Sequence, residues 1–216
     1  MTLSRREALE RIQAARLYAI TPEASPERVE DLVKAWLRGG VEVVQLRLKR
    51  LPRGRLVELA GRLVPMCAAA GVPLIVDDHA DVALLSGAAG VHVGPDDLSV
   101  AAVRRVSGDL LVGASAATPD EGRAAALQGA DYLGSGPAYP TPLKTQKPVI
   151  GPRGVAAVAA AVTVPVFAIG GIERSCLAEL RSMGVRRVCA IRALSDIMDP
   201  EMEVRAWREL LYGAPA

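Results

Sequence analysis

Short apolar runs rich in Val, Ile and Leu recur along the chain, each followed by a polar loop and then by a segment with helical periodicity. The first run is Leu17–Ile20. After it, Ser25 and Pro26 form an N-cap followed by proline at the first helical position. Val29, Leu32, Val33, Trp36 and Leu37 then fall at i, i+3, i+4, i+7 and i+8, one apolar helical face, and Gly39-Gly40 stops that helix. Seven further runs stand at Val41–Leu46, Pro73–Val76, Gly90–Val93, Leu110–Ala114, Tyr132–Gly134, Pro165–Ile169 and Arg187–Ile191. Ser4 and Glu7 have capping-box spacing, so residues 1–15 predict a helix ahead of the first strand. A last helix is expected from Glu201 to Leu211. Strands apolar on both faces belong to a parallel sheet covered by helices. Eight such units in 216 residues, with no linker or low-complexity segment, predict one α/β domain over residues 1–216, a single (β/α)8 TIM barrel.

Composition narrows the class. Half the residues are hydrophobic, enough for a sizeable core, while aromatics are 3%, so Ala, Val and Leu are expected to fill the layers of the barrel. The formal charge of +2 comes from 26 basic and 24 acidic residues mixed along the chain. That balance argues against nucleic-acid or membrane partners. The N-terminal stretch is charged throughout with no apolar signal core, and no stretch has the length of a membrane span. Cys67, Cys176 and Cys189 lack metal-ligand spacing and read as reduced thiols, so a cytoplasmic location is expected. Whether the chain forms a homo-oligomer stays open.

In such barrels chemistry sits on the loops leaving the C-terminal strand ends, and here those loops hold the polar residues. Gln45, Arg47 and Lys49 follow strand two with a period of two, which aims all three side chains at the barrel mouth. Arg and Lys there suit phosphate oxygens; the alternative is a solvated strand end. Asp77-Asp78 and Asp96-Asp97 end adjacent strands, so that carboxylates could meet and hold Mg2+, a cation that shares its shell with substrate phosphates. Helix capping competes for Asp97, although Ser99 is the better placed cap. His79 and His92 read as hydrogen-bonded packing and receive no role. The loop from Gly136 to Lys144, with Tyr139, Thr141 and three prolines, is long enough to be a mobile lid, or its glycine and prolines are plain punctuation. Gly170-Gly171 end strand seven where a helix is expected to open at Glu173, so bare amides there form an anion site together with the strand-eight turn at Arg192.

Six ordered segments carry a more specific resemblance: LYAIT at Leu17–Thr21, VVQLRLK at Val43–Lys49, GVPLIVDDHADVAL at Gly71–Leu84, GVHVGPDDL at Gly90–Leu98, GADYLGSGPAYPTPLK at Gly129–Lys144 and VPVFAIGGI at Val164–Ile172. Over nearly its whole length the chain resembles the thiamine-phosphate synthase (thiamine-phosphate pyrophosphorylase) family. The resemblance implies a barrel transferase that joins an aminopyrimidine methyl diphosphate to a thiazole phosphate through a pyrimidine carbocation and releases pyrophosphate. Asp78 and Asp97 would hold Mg2+. Gln45, Arg47, Lys49, Asp77, Ser115, Thr141 and Lys144 would line the diphosphate and pyrimidine region, with Arg47, Ser115 and Lys144 in catalytic contact. Gly171 and the strand-eight turn would cradle the thiazole phosphate. The partners implied are phosphorylated small molecules. Four positions depart from the family pattern: Leu48 replaces an acidic residue, Asp77 an asparagine, Leu143 a threonine, and Ala116-Ala117 a Thr-His pair. The related thiazole tautomerases use a histidine where Ala117 stands, which favours the synthase over that isomerase; a non-catalytic phosphate-binding barrel is the third reading.

Overall fold

The computed structural model describes residues 2–141 and 148–213. Eight strands, β1 (Leu17–Ile20), β2 (Val43–Leu46), β3 (Leu74–Asp77), β4 (Gly90–Val93), β5 (Leu111–Ser115), β6 (Tyr132–Ser135), β7 (Val166–Ala168) and β8 (Val188–Ala190), pair in chain order and all in parallel. β8 returns to β1 through Leu17↔Val188 and Ala19↔Ala190, so the sheet closes and leaves no edge. Before the barrel comes α1 (Arg5–Ala14), and after β1 comes α2 (Pro26–Gly39). The other crossovers are α3 (Arg53–Ala69), α4 (Ala80–Ser86), α5 (Val100–Val106), α6 (Pro119–Leu127), α7 (Gly151–Ala160) and α8 (Leu177–Ser182). After β8 follow α9 (Arg192–Ser195) and α10 (Pro200–Tyr212). The Ser4–Glu7 capping box forms as the sequence predicts, and Ser25 caps α2 with Pro26 in its first turn.

Several apolar runs extend beyond their strands. Val41, Val72 and Leu110 are buried without belonging to a strand, because the outer core continues under the loops at the N-terminal end of the barrel. At the other end, three ladders run further than hydrophobicity indicates and take in Asp77, Ser115 and Ser135. The helix expected from Glu173 opens instead as a 3-10 turn over Arg174–Cys176, and α8 starts at Leu177. Glu173 is extended and makes no side-chain cap.

Strand alternation divides the hydrophobic residues into two cores. The outer core lies between sheet and helices and includes Trp36 and Trp207, the Trp36 indole donating to the Leu194 carbonyl at 2.7 Å. The inner core fills the barrel with Tyr18, Val43, Ile75, Leu111, Tyr132, Phe167 and Cys189, and α1 adds Ala8 and Ile12 to the same cluster. Beside the expected aliphatic residues, the sole phenylalanine and two tyrosines stand there, edge to face, with centroids 5.4–5.9 Å apart.

Gly113 on β5 makes room for this packing. A Cβ there would overlap the Tyr132 ring and His92 Nδ1. Gly113→Ala is expected to lower stability by about 1–3 kcal/mol, the usual cost of overpacking. Urea denaturation checks this, and an unchanged midpoint would show that the interior yields.

Candidate active site

Strand ends β2 to β5 bring together most of the polar residues singled out above. Thr21 fixes the start of the β2 loop: its Oγ1 accepts from the Arg47 amide at 2.8 Å and donates to the Arg47 carbonyl at 3.3 Å. Glu23 accepts from the amides of Lys49 and Arg50 at 3.0 and 3.2 Å. With its backbone held in this way, the loop places Arg47 Nε and Lys49 Nζ each 3.5 Å from Asp77 Oδ2. Lys49 Nζ also donates to Asp78 Oδ2 at 2.5 Å. Gln45 is buried and donates from Nε2 to the Tyr18 hydroxyl at 2.9 Å.

Asp78 has φ 62°, the one non-glycine residue with positive φ among those described. Aspartate tolerates this conformation better than most residues, yet it carries strain. The Asp78 amide donates to the His92 carbonyl at 2.8 Å. Asp78 and Asp97 interact across the ends of the adjacent strands β3 and β4. Burial raises Asp97, and Asp78 adds to that against the opposing Gly94 amide. Burial also opposes the charge on Asp78, but Lys49 outweighs it and holds Asp78 below its ordinary value. The Gly94 amide donates to Asp97 Oδ2 at 2.8 Å, and Ser99, not Asp97, caps α5.

Two further predicted residues, Ser115 and Thr141, line with Asp97 a cavity of about 1300 Å3 that reaches Gly170, Gly171, Ile191 and Arg192. Among the described residues, the amides of Gly170, Gly171 and Ile172 donate to no backbone carbonyl, as an anion site requires. The glycines have a second cause, however. A Cβ on Gly171 would strike the carbonyls of Tyr139 and Pro140, and one on Gly170 would strike Pro137.

That packing ties the first half of the loop expected to be mobile to the turn after β7. The amides of Ala138 and Tyr139 donate to the carbonyls of Ile169 and Gly170 at 2.8 and 2.9 Å, and the Tyr139 hydroxyl donates to Glu179 at 2.7 Å. Gly136 is required by close packing, since a Cβ there would collide with the Ile169 carbonyl. Leu143 and Lys144 lie outside the described residues. Of the other departures, Leu48 is buried in the outer core and does not face the site. Ala117 lines the cavity with no titratable group, its amide donating to Glu121 at 2.6 Å.

One residue given no role in the sequence does stand at the site. His92 Nε2 lies 3.1 Å from Ser115 Oγ and its Nδ1 3.3 Å from the Tyr132 hydroxyl. The signal was present: polar residues at inward positions of otherwise apolar strands, opposite glycines. A lone histidine does not reveal its partners.

Residues 17–194 match the family model described as thiamine monophosphate synthase. The chain belongs to this family. It is 41% identical to the thiamine-phosphate synthase of Chlorobium luteolum over 82% of this chain and 84% of that one. Identity to the thiamine-phosphate synthase of a Roseiflexus species is also 41%, over 92% of this chain and 86% of that one. Among solved structures, thiamine phosphate pyrophosphorylase from Pyrococcus furiosus superposes with a TM-score of 0.84 at 30% identity, covering 94% of this chain and 98% of that one. The fold agrees with that of the family. Among the described residues, no helix is long and apolar enough to cross a membrane.

The family's usual asparagine is Asp77 here, and its carboxyl is pushed up to about 6 by burial and the Asp78 charge, against the pull of Lys49 and Arg47. The folded state thus binds this proton more tightly than the unfolded chain. Asp77's contribution to stability is full below the unfolded value of 3.8 and is lost as pH rises through about 6. Asp77→Asn keeps the shape without the titration, so at about pH 7.5 it should exceed the parent by at least about 1 kcal/mol. Urea midpoints should converge near about pH 4. A pH-independent difference would refute the titration as its cause.

Proposed function

We propose that the chain is a thiamine-phosphate synthase, a transferase joining an aminopyrimidine methyl diphosphate to a thiazole phosphate with release of pyrophosphate. The observation that carries this reading is the single cavity running from Asp97 and Ser115 to the Gly170-Gly171 and Ile191-Arg192 turns. It provides for two phosphorylated groups at opposite ends of one space. Beside the Asp97 end, outside the cavity lining itself, Arg47 and Lys49 pair with Asp77 and Asp78, and Asp78 in turn interacts with Asp97. A diphosphate arriving there meets cations already positioned.

Asp78 and Asp97 fit a divalent cation: both are hard oxygen donors, and they interact across adjacent strand ends. Bound Mg2+ would supply positive charge to the departing pyrophosphate. Two carboxylates suit an ion that keeps waters and takes phosphate oxygens.

In the reaction, the methylene C–O bond breaks and both electrons leave on the pyrophosphate. The thiazole nitrogen then donates its lone pair to the methylene carbon, and the new C–N bond forms without any proton transfer. The residues need only steady the leaving anion, orient the two rings and exclude water. Arg47, Lys49 and Ser115 steady the anion, and Lys144 would join them. Gln45 presents an amide to the pyrimidine. The bare amides after β7 and the Arg192 turn receive the thiazole phosphate. A tautomerase needs an acid or base in place of Ala117, and none stands there.

Purified protein with both substrates and Mg2+ should form thiamine phosphate. Metal-independent isomerisation of the thiazole phosphate, without coupling, would refute the reading. Asp78→Ala and Asp97→Ala should each weaken Mg2+-dependent pyrophosphate binding at least ~10-fold, on the order of one lost metal ligand. Gly171 cannot be enlarged without disturbing Tyr139 and Pro140, so Arg192→Ala is the better probe of the second end. It should raise KM for the thiazole phosphate about 10-fold, as loss of one charge-assisted contact does. KM for the diphosphate should not change. An equal rise for both substrates would overturn the division of the cavity.

A further inference from the structure

Beneath the cavity a chain of hydrogen bonds crosses the barrel interior. Gln45 Nε2 donates to the Tyr18 hydroxyl at 2.9 Å, the Tyr18 and Tyr132 hydroxyls are 3.0 Å apart, and the Tyr132 hydroxyl is 3.3 Å from His92 Nδ1. His92 Nε2 then lies 3.1 Å from Ser115 Oγ. The backbone is shaped around this chain. Gly113 leaves the space that Tyr132 and His92 occupy, and a Cβ on Gly134 would stand 3.2 Å from His92 Cε1. Burial holds both phenols up as neutral hydroxyls, so each has one proton to donate.

Donor accounting gives the chain a direction. Tyr18 accepts from Gln45, so its own proton goes to Tyr132. Tyr132 in turn gives its proton to His92 Nδ1, which must then be the unprotonated nitrogen. The imidazole proton sits on Nε2 and points at Ser115 Oγ. The Ser115 hydroxyl, already accepting, turns its proton outward into the cavity. We infer that His92 is a positioning residue, held by Tyr18 and Tyr132 as the Nε2–H tautomer so that Ser115 always offers a proton, never a lone pair, to the anion in the cavity. The reverse polarity would leave Ser115 donating into the protein and its oxygen lone pairs facing the leaving pyrophosphate, which is unfavourable. The catalytic consequence rests on the synthase reading; the tautomer does not.

The chain contains two histidines, His79 and His92, so 15N-histidine NMR of the full-length protein reads both rings, and His79→Gln assigns them. His92 should show the Nε2–H tautomer, and Tyr132→Phe should mix the two tautomers. An Nδ1–H tautomer for His92 in the parent protein overturns the inference, with or without synthase turnover. The catalytic part is read from a double-mutant cycle. Ser115→Ala and His92→Ala should each lower kcat at least ~10-fold, on the order of one lost donor to a developing anion, with smaller changes in KM. The double variant should be no worse than Ser115→Ala alone. His92→Gln, whose amide nitrogen can reach toward Ser115, should recover most of the loss. Additive losses, or no recovery with glutamine, would reduce His92 to packing. If the parent protein shows the Nε2–H tautomer but makes no thiamine phosphate, the synthase reading fails and the positioning chain stands.

Discussion

The alternation of side chains along eight short parallel strands, closed into a ring, is the constraint on which the rest of this molecule depends. Closure forces every second side chain toward a common axis, where it must fit among those of the other strands. Tyr18, Tyr132 and Phe167 occupy that space edge to face, and α1 contributes Ala8 and Ile12 to the same cluster. Buried phenols bring hydroxyls that must be paired. Their pairing runs through Gln45 and His92 to Ser115 at the mouth. The floor of the site is thus the top layer of the core, and its polar atoms are held with the rigidity of packed rings.

Above that floor, charge compensates charge. Asp77 stands where asparagine is usual, and an uncompensated carboxylate there would repel a diphosphate. Arg47 and Lys49 reach it from the β2 loop and offset its charge. The extra charge is therefore largely masked before any ligand binds. The two alanines after β5 remove hydrogen-bonding groups from the cavity wall, whereas Leu48 turns away into the outer core. Departures from a family pattern differ in consequence because alternation sends some of them inward to the site and others out to the helices.

The far end of the cavity is built by close backbone approach. Pro137 to Pro140 lie against the turn after β7, and the glycines at 136, 170 and 171 are required by that contact. The same contact ties the start of the β6–α7 connection to the turn after β7. It also leaves the Gly170 and Gly171 amides facing a space lined by Arg192, a combination suited to a phosphate.

The eight apolar runs, the capped helices and the sorting of polar residues to one end were legible in the sequence, because they follow from local periodicity and capping chemistry. The meeting of Arg47 and Lys49 with the carboxylates after β3 was legible too, since topology alone brings consecutive strand ends together. The run boundaries were less legible: Val41 and Leu110 are buried outside any ladder, while Asp77 and Ser115 lie within one, and hydrophobicity reports burial, not pairing. Three things were decided only in the tertiary structure. Asp78 takes a left-handed backbone that nothing in its neighbours' identities announces. Gly136 and Gly171, which read as loop punctuation and phosphate cradle, are imposed by contacts with segments far along the chain. His92, which alone reads as packing, gains partners on two other strands. In each case the deciding interaction joins residues from different strand ends, and local sequence carries no record of which atoms the closed barrel brings within hydrogen-bonding distance.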